Sequence, residues 1–470
     1  MSRIVIRFER TSNSLCTFRL EKTPDIESAP TIAEPFPLTQ ALVQGPPRTS
    51  GETLFAALKN NQDVREAFDF VLKQETLVPV YLEMAKGAES ADVFPWEYLF
   101  SNKQRFLALS QFWPIARSLY SASLQGIPFR ELTITEGRPQ IRVLAVFGAG
   151  DDWKWEWKAF RELRDNAEKQ GCDLRLRILV GHSEACRKIN QEAGTDVASQ
   201  FTNLDQLWDL VRDETFLPNV IHFLCHGTGG TDPVMHCATI LDHETRSEER
   251  FDVIAPSELL RKIPKTRFLW MIVLNCCELA NATAESQQSF ARGLLGNEAP
   301  VVIAHRAPIK VKDAAEVTLG LYESILHKAK VAAELSVPQE VDWADVLALA
   351  RDRLINAYKA EQKKTGPETA ESTVQWSLPV VYVTSPGFVM FTNHGDPDPV
   401  GSARAATKSA MQGELLDIDQ LPDEYRKHVD NVDSNALTAP VECVEAVATG
   451  DSQIVEPARE EDEDEGLAAY

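Results

Sequence analysis

The chain is expected to be an α/β protein: a mostly parallel sheet with helices on both faces, preceded by a smaller α+β unit and followed by a flexible acidic tail. Three observations predict this. Continuous apolar runs such as Val220–Cys225 and Phe268–Leu274 are bounded by polar or glycine residues, the pattern of strands buried on both faces of a parallel sheet. Those runs alternate with segments of helical spacing, which is the signature of βαβ units with right-handed crossovers. From about Gly395 the composition turns to Gly, Pro, Asp, Ser and Ala, too polar to repay the entropy of ordering.

Residues 1–135 form the first unit. Ile4–Phe8 and Leu15–Leu20 read as paired strands, and the alternation of apolar and charged residues from Met1 to Arg10 is that of a strand rather than a signal peptide. Ala29–Pro47 is proline-rich and reads as a loop. Gly51–Leu77 has helical spacing, and Val78–Met84 reads as a strand. Pro95-Trp96-Glu97 opens a short helix, where the missing proline N–H costs nothing.

Residues 136–392 form the second unit. Ile141–Phe147 is a strand, Trp155–Gln170 a helix stopped by Gly171, Asp173–Val180 a strand and Leu204–Glu214 a helix. The strand Val220–Cys225 follows, then a short strand Ala238–Leu241 and the helix Pro256–Ile263. Phe268–Leu274 is the next strand, Ser289–Leu295 a helix, Ala299–Ala304 a strand, Ala314–Ala329 and Trp343–Ala360 helices, and Leu378–Thr384 the last strand. Residues 393–470 form the tail, with 17 acidic against 3 basic residues from Glu414 to Tyr470. No internal repeat is evident.

Composition narrows the function. The net charge of −22 argues against nucleic acid as a bulk partner. No apolar run approaches the roughly 18 residues of a spanning helix. Eight cysteines without a framework pattern suit a reducing, cytoplasmic setting.

The chemistry-bearing residues stand where strands stop. His226 and Gly227 follow the first apolar run, and Asn275-Cys276-Cys277-Glu278 follows the second. Ligands of open α/β sheets bind beyond the carboxyl ends of the strands, so a histidine and a cysteine are delivered to that edge. A thiol needs a nearby base or cation to become a thiolate, and imidazole supplies either. Neighbouring strand residues point to opposite faces, so only one of Cys276 and Cys277 can face His226. The backbone N–H groups of Gly227 and Cys277 are candidates for an oxyanion hole, with Gly227 admitting a substrate carbonyl closely. His222, inside its strand, reads as a hydrogen-bonded core histidine. Glu278 is expected either to bind a substrate amino group or to cap the next helix. Asp232 is a specificity-pocket candidate or a turn residue. Zinc is disfavoured, because adjacent pairs on strands diverge while structural zinc prefers ligands spaced by about two to four residues; no cofactor is expected. Gly148-Ala-Gly150 lacks the third glycine of a phosphate loop, and Asp151-Asp152 would repel phosphate. Trp153, Trp155 and Trp157 read as sheet-edge packing.

These motifs resemble the CHAT family of caspase-like cysteine peptidases, with a caspase- and separase-like fold. The resemblance rests on Val220-Ile-His-Phe-Leu-Cys-His226-Gly227, on Val273-Leu-Asn-Cys-Cys277-Glu278, and on the flanking Phe290–Leu295, Ala299–Ala304, Val317–Leu326, Ala348–Arg351 and Trp376–Tyr382. Pro95-Trp96-Glu97 resembles an element found before such catalytic regions. His226 and Cys277 are 51 residues apart, and in caspases the histidine lies about 50 residues upstream of the cysteine. The resemblance implies Cys277 as nucleophile, Cys276 as a small buried hydrophobe and His226 as its base. Two departures touch the rim: Leu279-Ala280 stands where Thr-Gly is common, and Gly296-Asn-Glu-Ala299 where a Gly-Gly-Ala turn is. Asn275 occupies the place where metacaspases carry an Asp that selects a basic side chain, so it joins the pocket candidates without supporting that specificity.

The implied function is a cysteine endopeptidase that cleaves a protein substrate through an acyl-enzyme. By resemblance, its setting is bacterial antiviral defence or programmed death, with a gasdermin-like or other dedicated substrate and an activating partner protein. The alternative is a non-catalytic caspase-like interaction module with an idle dyad.

Overall fold

In the computed structural model the described residues are 3–394, apart from 11–14, 23–32, 38, 44, 103–104, 120–128, 150–151, 230–231, 240–249, 282–288, 296–298, 336–338, 366–373 and 385–387. The expected acidic tail, Gly150-Asp151, and the Gly296-Asn-Glu turn lie outside them.

The chain begins with β1 (Ile4–Arg10), β2 (Leu15–Lys22) and β3 (Glu34–Pro37), then α1 (Pro47–Leu58), α2 (Gln62–Val71) and β4 (Val80–Met84). A two-stranded ribbon of β5 (Phe100–Ser101) and β6 (Arg105–Phe106) precedes β7 (Ile115–Leu119) and β8 (Phe129–Thr135). The proline-rich stretch read as a loop contains β3, which pairs with β2 at the sheet edge. Pro35 and Pro37 are tolerated there because an edge strand need not donate from every N–H, and Phe36 between them is fully buried. Residues 51–77 hold two helices, since Asn61 caps a new start by accepting from the Val64 N–H. Pro95-Trp96-Glu97 opens a single 3₁₀ turn.

The second half follows as β9 (Arg138–Gly148), α3 (Trp153–Lys169), β10 (Asp173–Val180), α4 (Ser183–Ala193), β11 (Ala198–Gln200) and α5 (Leu204–Val211). Then come β12 (Val220–Thr228), β13 (Val234–Thr239), β14 (Arg250–Ile254), α6 (Pro256–Lys262), β15 (Met271–Leu274), α7 (Phe290–Leu294) and β16 (Val301–His305). The last described elements are α8 (Val311–Leu335), β17 (Gln339–Val341), α9 (Ala348–Thr365), β18 (Pro379–Thr384) and β19 (Phe388–His394).

The strands β11, β10, β9, β12, β15 and β16 lie side by side and parallel. β18 adds antiparallel to β16 and parallel to β7, which continues through β4 to β1. The N-terminal strands and the second half therefore share one mixed, mostly parallel sheet. Period-two alternation feeds two cores. Val143, Met271, Val273 and Ile303 face one side, with Phe160 and Leu163 of α3 and Tyr322 of α8. Leu144, Ile272, Leu274 and Val302 face the other, with Trp208 of α5, Leu259 of α6 and Phe290 of α7. Helices thus cover both faces, as the runs of uninterrupted apolar residues require.

Candidate active site

β12 and β15 pair in parallel with His222 opposite Val273 and Phe223 opposite Leu274. The offset of that register equals the spacing between His226 and Cys277, and each follows the paired segment by three residues. The ladder extends one rung further, the Asn275 N–H donating to the Phe223 carbonyl at 2.8 Å. Asn275 projects toward the α3–α8 side, onto Glu156 and Thr318, and Cys276 toward the other core.

The solvent exposures agree with that parity. Cys276 is 1 % exposed, and its thiol points at the Phe223 carbonyl. Beside it, Cys225 and Cys237 are buried too, and both sulfurs crowd the space where Gly148 lacks a side chain. Burial pushes the Cys225 thiol well up; Cys237 rises through its contact with Cys225 and through burial. Such thiols are inert at neutral pH. Cys277 is half-buried and His226 exposed. Of the two adjacent cysteines, Cys277 alone reaches solvent.

The two motif loops touch directly. A Cβ on Gly227 would collide with the Cys277 carbonyl and come within 2.7 Å of Leu279 Cγ. The glycine is therefore required by the cysteine loop itself. Glu278 adopts φ 60°, the left-handed conformation that costs a non-glycine residue about 1 kcal/mol; it reverses the chain after the cysteine. The Gly229 N–H donates to its carboxylate at 3.4 Å. Glu278 caps no described helix: α7 starts at Phe290 and takes its cap from Ser289. Its carboxylate links the cysteine loop to the histidine loop.

Asn275 is 4 % exposed and held internally. Its Nδ2 donates to Glu156 Oε2 at 3.0 Å and Thr318 Oγ1 at 3.3 Å, and its Oδ1 faces His305 Nε2 at 2.9 Å. Both amide N–H groups are engaged in the interior, which leaves no donor for a pocket wall. The carboxylate of Glu156 fixes the amide orientation, so His305 donates from Nε2. Burial, and secondarily His222, push His305 down to about 3, so it is neutral. His222 is a core histidine, as its place in the strand predicts; its Nε2 lies 3.0 Å from Glu156 Oε1, and its ring is edge-on to Phe160. Sequence reading missed Glu156, His305 and Thr318. Glu156, on an amphipathic helix, carries no local sign that it is buried.

Asp232 is exposed in the connection between β12 and β13. Trp153 and Trp157 are buried, whereas Trp155 is 43 % exposed, so only the first two pack inward. Among the described residues no group of His, Cys, Asp or Glu is placed to hold a metal ion, and no helix is long and apolar enough to cross a membrane.

A family model described as "CHAT domain" matches residues 73–344. No curated protein matches. Among solved structures, the separase–securin complex of Saccharomyces cerevisiae shares 13 % identity at a TM-score of 0.35, over 72 % of this chain and 18 % of that one. The Arg-specific cysteine proteinase gingipain R shares 12 % at 0.41, over 71 % and 68 %. The complex of Porphyromonas gingivalis RgpB pro- and mature domains shares 10 % at 0.39, over 70 % and 68 %. The chain spans less than a fifth of the separase chain.

Proposed function

We propose, from the premise that this chain belongs to the CHAT domain family, that it is a cysteine endopeptidase with a His226–Cys277 dyad. The observation that supports the reading is the register of β12 against β15, whose offset equals the spacing of His226 and Cys277; His226 is exposed and Cys277 half-buried, while Cys276 is turned into the core. Cys277 Sγ attacks the scissile carbonyl as a thiolate, its proton held by His226. The tetrahedral oxyanion is met by the backbone N–H groups of Gly227 and Cys277. His226 then protonates the leaving amine, an acyl-enzyme remains, and His226 draws a proton from the water that hydrolyses it. The exposed position of His226 suits a polypeptide that lies across the sheet edge. The setting we propose is a defence or programmed-death system with a dedicated protein substrate and an activating partner.

The test is intact-mass analysis of the wild type, Cys277→Ala and Cys276→Ala, each with candidate protein substrates and with a peptide-like electrophile. Cleavage and labelling lost only in Cys277→Ala support the dyad. Loss only in Cys276→Ala moves the nucleophile by one residue. A wild type that neither cleaves nor is labelled points instead to an interaction module.

A further inference from the structure

β12, β13 and β14 form a three-stranded arm: β12 carries His226 and sets Gly227 against the cysteine loop, and β13 and β14 then turn back on the other side. His226 pairs with His236, and His236 with Val253; Ala238 pairs with Phe251. Directly paired residues share a face. One face of the arm is therefore His226, Thr228, His236, Val253 and Phe251, while Met235, Cys237 and Ile254 point into the core. The Thr228 hydroxyl and His236 Nε2, 2.7 Å apart, confirm that sidedness. On this outer face Phe251 is 46 % exposed and Val253 51 %. The Phe251 ring meets His226 edge-on, with centroids 6.0 Å apart. Two large apolar side chains at alternate positions of a short strand, continuous with the dyad, are an apolar patch against a reactive group.

The side on which the arm lies defines what it meets. β15, with Cys277, pairs with one edge of β12, and β9 with the other. β13 sits at the β9 side: a Cβ on Gly148, at the end of β9, would meet Cys237 of β13, and one on Gly181, past the end of β10, would meet the Ala238 carbonyl. The order across the edge is therefore Cys277, His226, arm. In the reaction of the proposed dyad the acyl carbon bonds to Cys277 Sγ, the C–N bond breaks, and His226 Nε2 or Nδ1 gives its proton to the departing nitrogen. The departing segment then begins at His226 and leaves on the side of the arm.

We propose that the outer face of β12–β14, with Phe251 and Val253, is the subsite for the leaving segment, and that it selects an apolar side chain in the first or second residue after the cut. An extended chain rises about 3.3 Å per residue, so the 6.0 Å from imidazole to Phe251 is about two residues of reach. The occupant is the substrate polypeptide, since the patch is continuous with the dyad imidazole. This rests on the peptidase reading and adds the substrate preference to it.

The experiment digests a proteome-derived peptide library with the full chain and reads the residues on each side of every cut, for the wild type, Phe251→Ser and Phe251→Leu. Wild-type cuts enriched about tenfold in Leu, Ile, Val, Met or Phe at the first two leaving-side positions are expected, about what one apolar contact confers. Phe251→Ser should lose most of that enrichment with the acyl-side preference intact, and Phe251→Leu should retain it. A thermal transition unchanged in Phe251→Ser shows that the fold survives. Cuts without leaving-side preference, or with the same preference in Phe251→Ser, overturn the subsite and leave the peptidase standing. No cut by the wild type, with no acyl adduct on Cys277, overturns the peptidase reading and the subsite with it.

Discussion

Gly227 holds the two halves of the site together by having no side chain. The Cys277 carbonyl and Leu279 occupy the space that any Cβ would need, and the obstacle is partly backbone, which cannot rotate away. Gly227→Ala should therefore push the cysteine loop off the histidine strand. The expected cost is about 1–3 kcal/mol of stability together with a slower reaction of Cys277 with iodoacetamide. Chemical unfolding and alkylation rates measure both, and a variant alkylated at the wild-type rate would show that the loops do not depend on this contact. Much at this scale was legible in the sequence. Strand alternation said that only one of Cys276 and Cys277 can face His226, because the apolar run before them carries a clear strand signal; the choice of Cys277 came from the family resemblance. The role of Asn275 was not legible: its partners Glu156, Thr318 and His305 lie on three other elements, and no short-range pattern announces a buried network.

That network ties α3, β12, β15, β16 and α8 together beneath the sheet edge, and it contains its own pH response. His305 is held at about 3, chiefly by burial and then by His222, whereas an unfolded histidine titrates near 6.5. Between these values the unfolded chain binds a proton that the folded chain refuses, so stability falls as pH drops, by up to about 1.4 kcal/mol per unit. The contribution is intact above about pH 6.5 and is progressively lost toward pH 3. His305→Gln keeps a donor near the Nε2 position and removes the titration. Denaturant midpoints at pH 7, 5.5 and 4.5 should fall less steeply in that variant, and parallel slopes for the two proteins would exclude His305 as the source. The arm is the other element that sequence reading underestimated. The strand expected at Ala238–Leu241 is Val234–Thr239 among the described residues, and β14 was not anticipated. Its alternation puts apolar Phe251 and Val253 on the solvent side, the reverse of the pattern by which a half-buried strand is recognised.

At the scale of the molecule, the division at residue 135 meets a sheet that runs across it. β7 lies between β4 and β18, and Arg117 on β7 is 1 % exposed. Arg117 bonds Asp92 and Glu97 at 2.7 Å each, and Tyr382 on β18 donates to the same Asp92 at 3.0 Å. Glu97 is also 3.7 Å from Arg306, the residue after β16. The Pro95-Trp96-Glu97 element therefore supplies a buried anion that serves both halves, and the Arg117 guanidinium holds the Glu97 carboxyl below its usual range against the opposing effect of burial. Removing one partner from a buried charge network costs about 3–5 kcal/mol. A chain starting at residue 136 would lose Asp92, Glu97 and Arg117 at once and would bare the β18 edge along Tyr382–Thr384. Such an edge, apolar and unpaired, invites aggregation. The shortened chain is expected to be insoluble or to lack a cooperative transition. In the full-length protein, Arg117→Met should lower the tryptophan-fluorescence and Cys277-alkylation midpoints together, because both halves are held by the same charges. A soluble 136–470 chain with a sharp thermal transition would instead mean that the second half carries its own stability and that the shared strands are a dispensable extension.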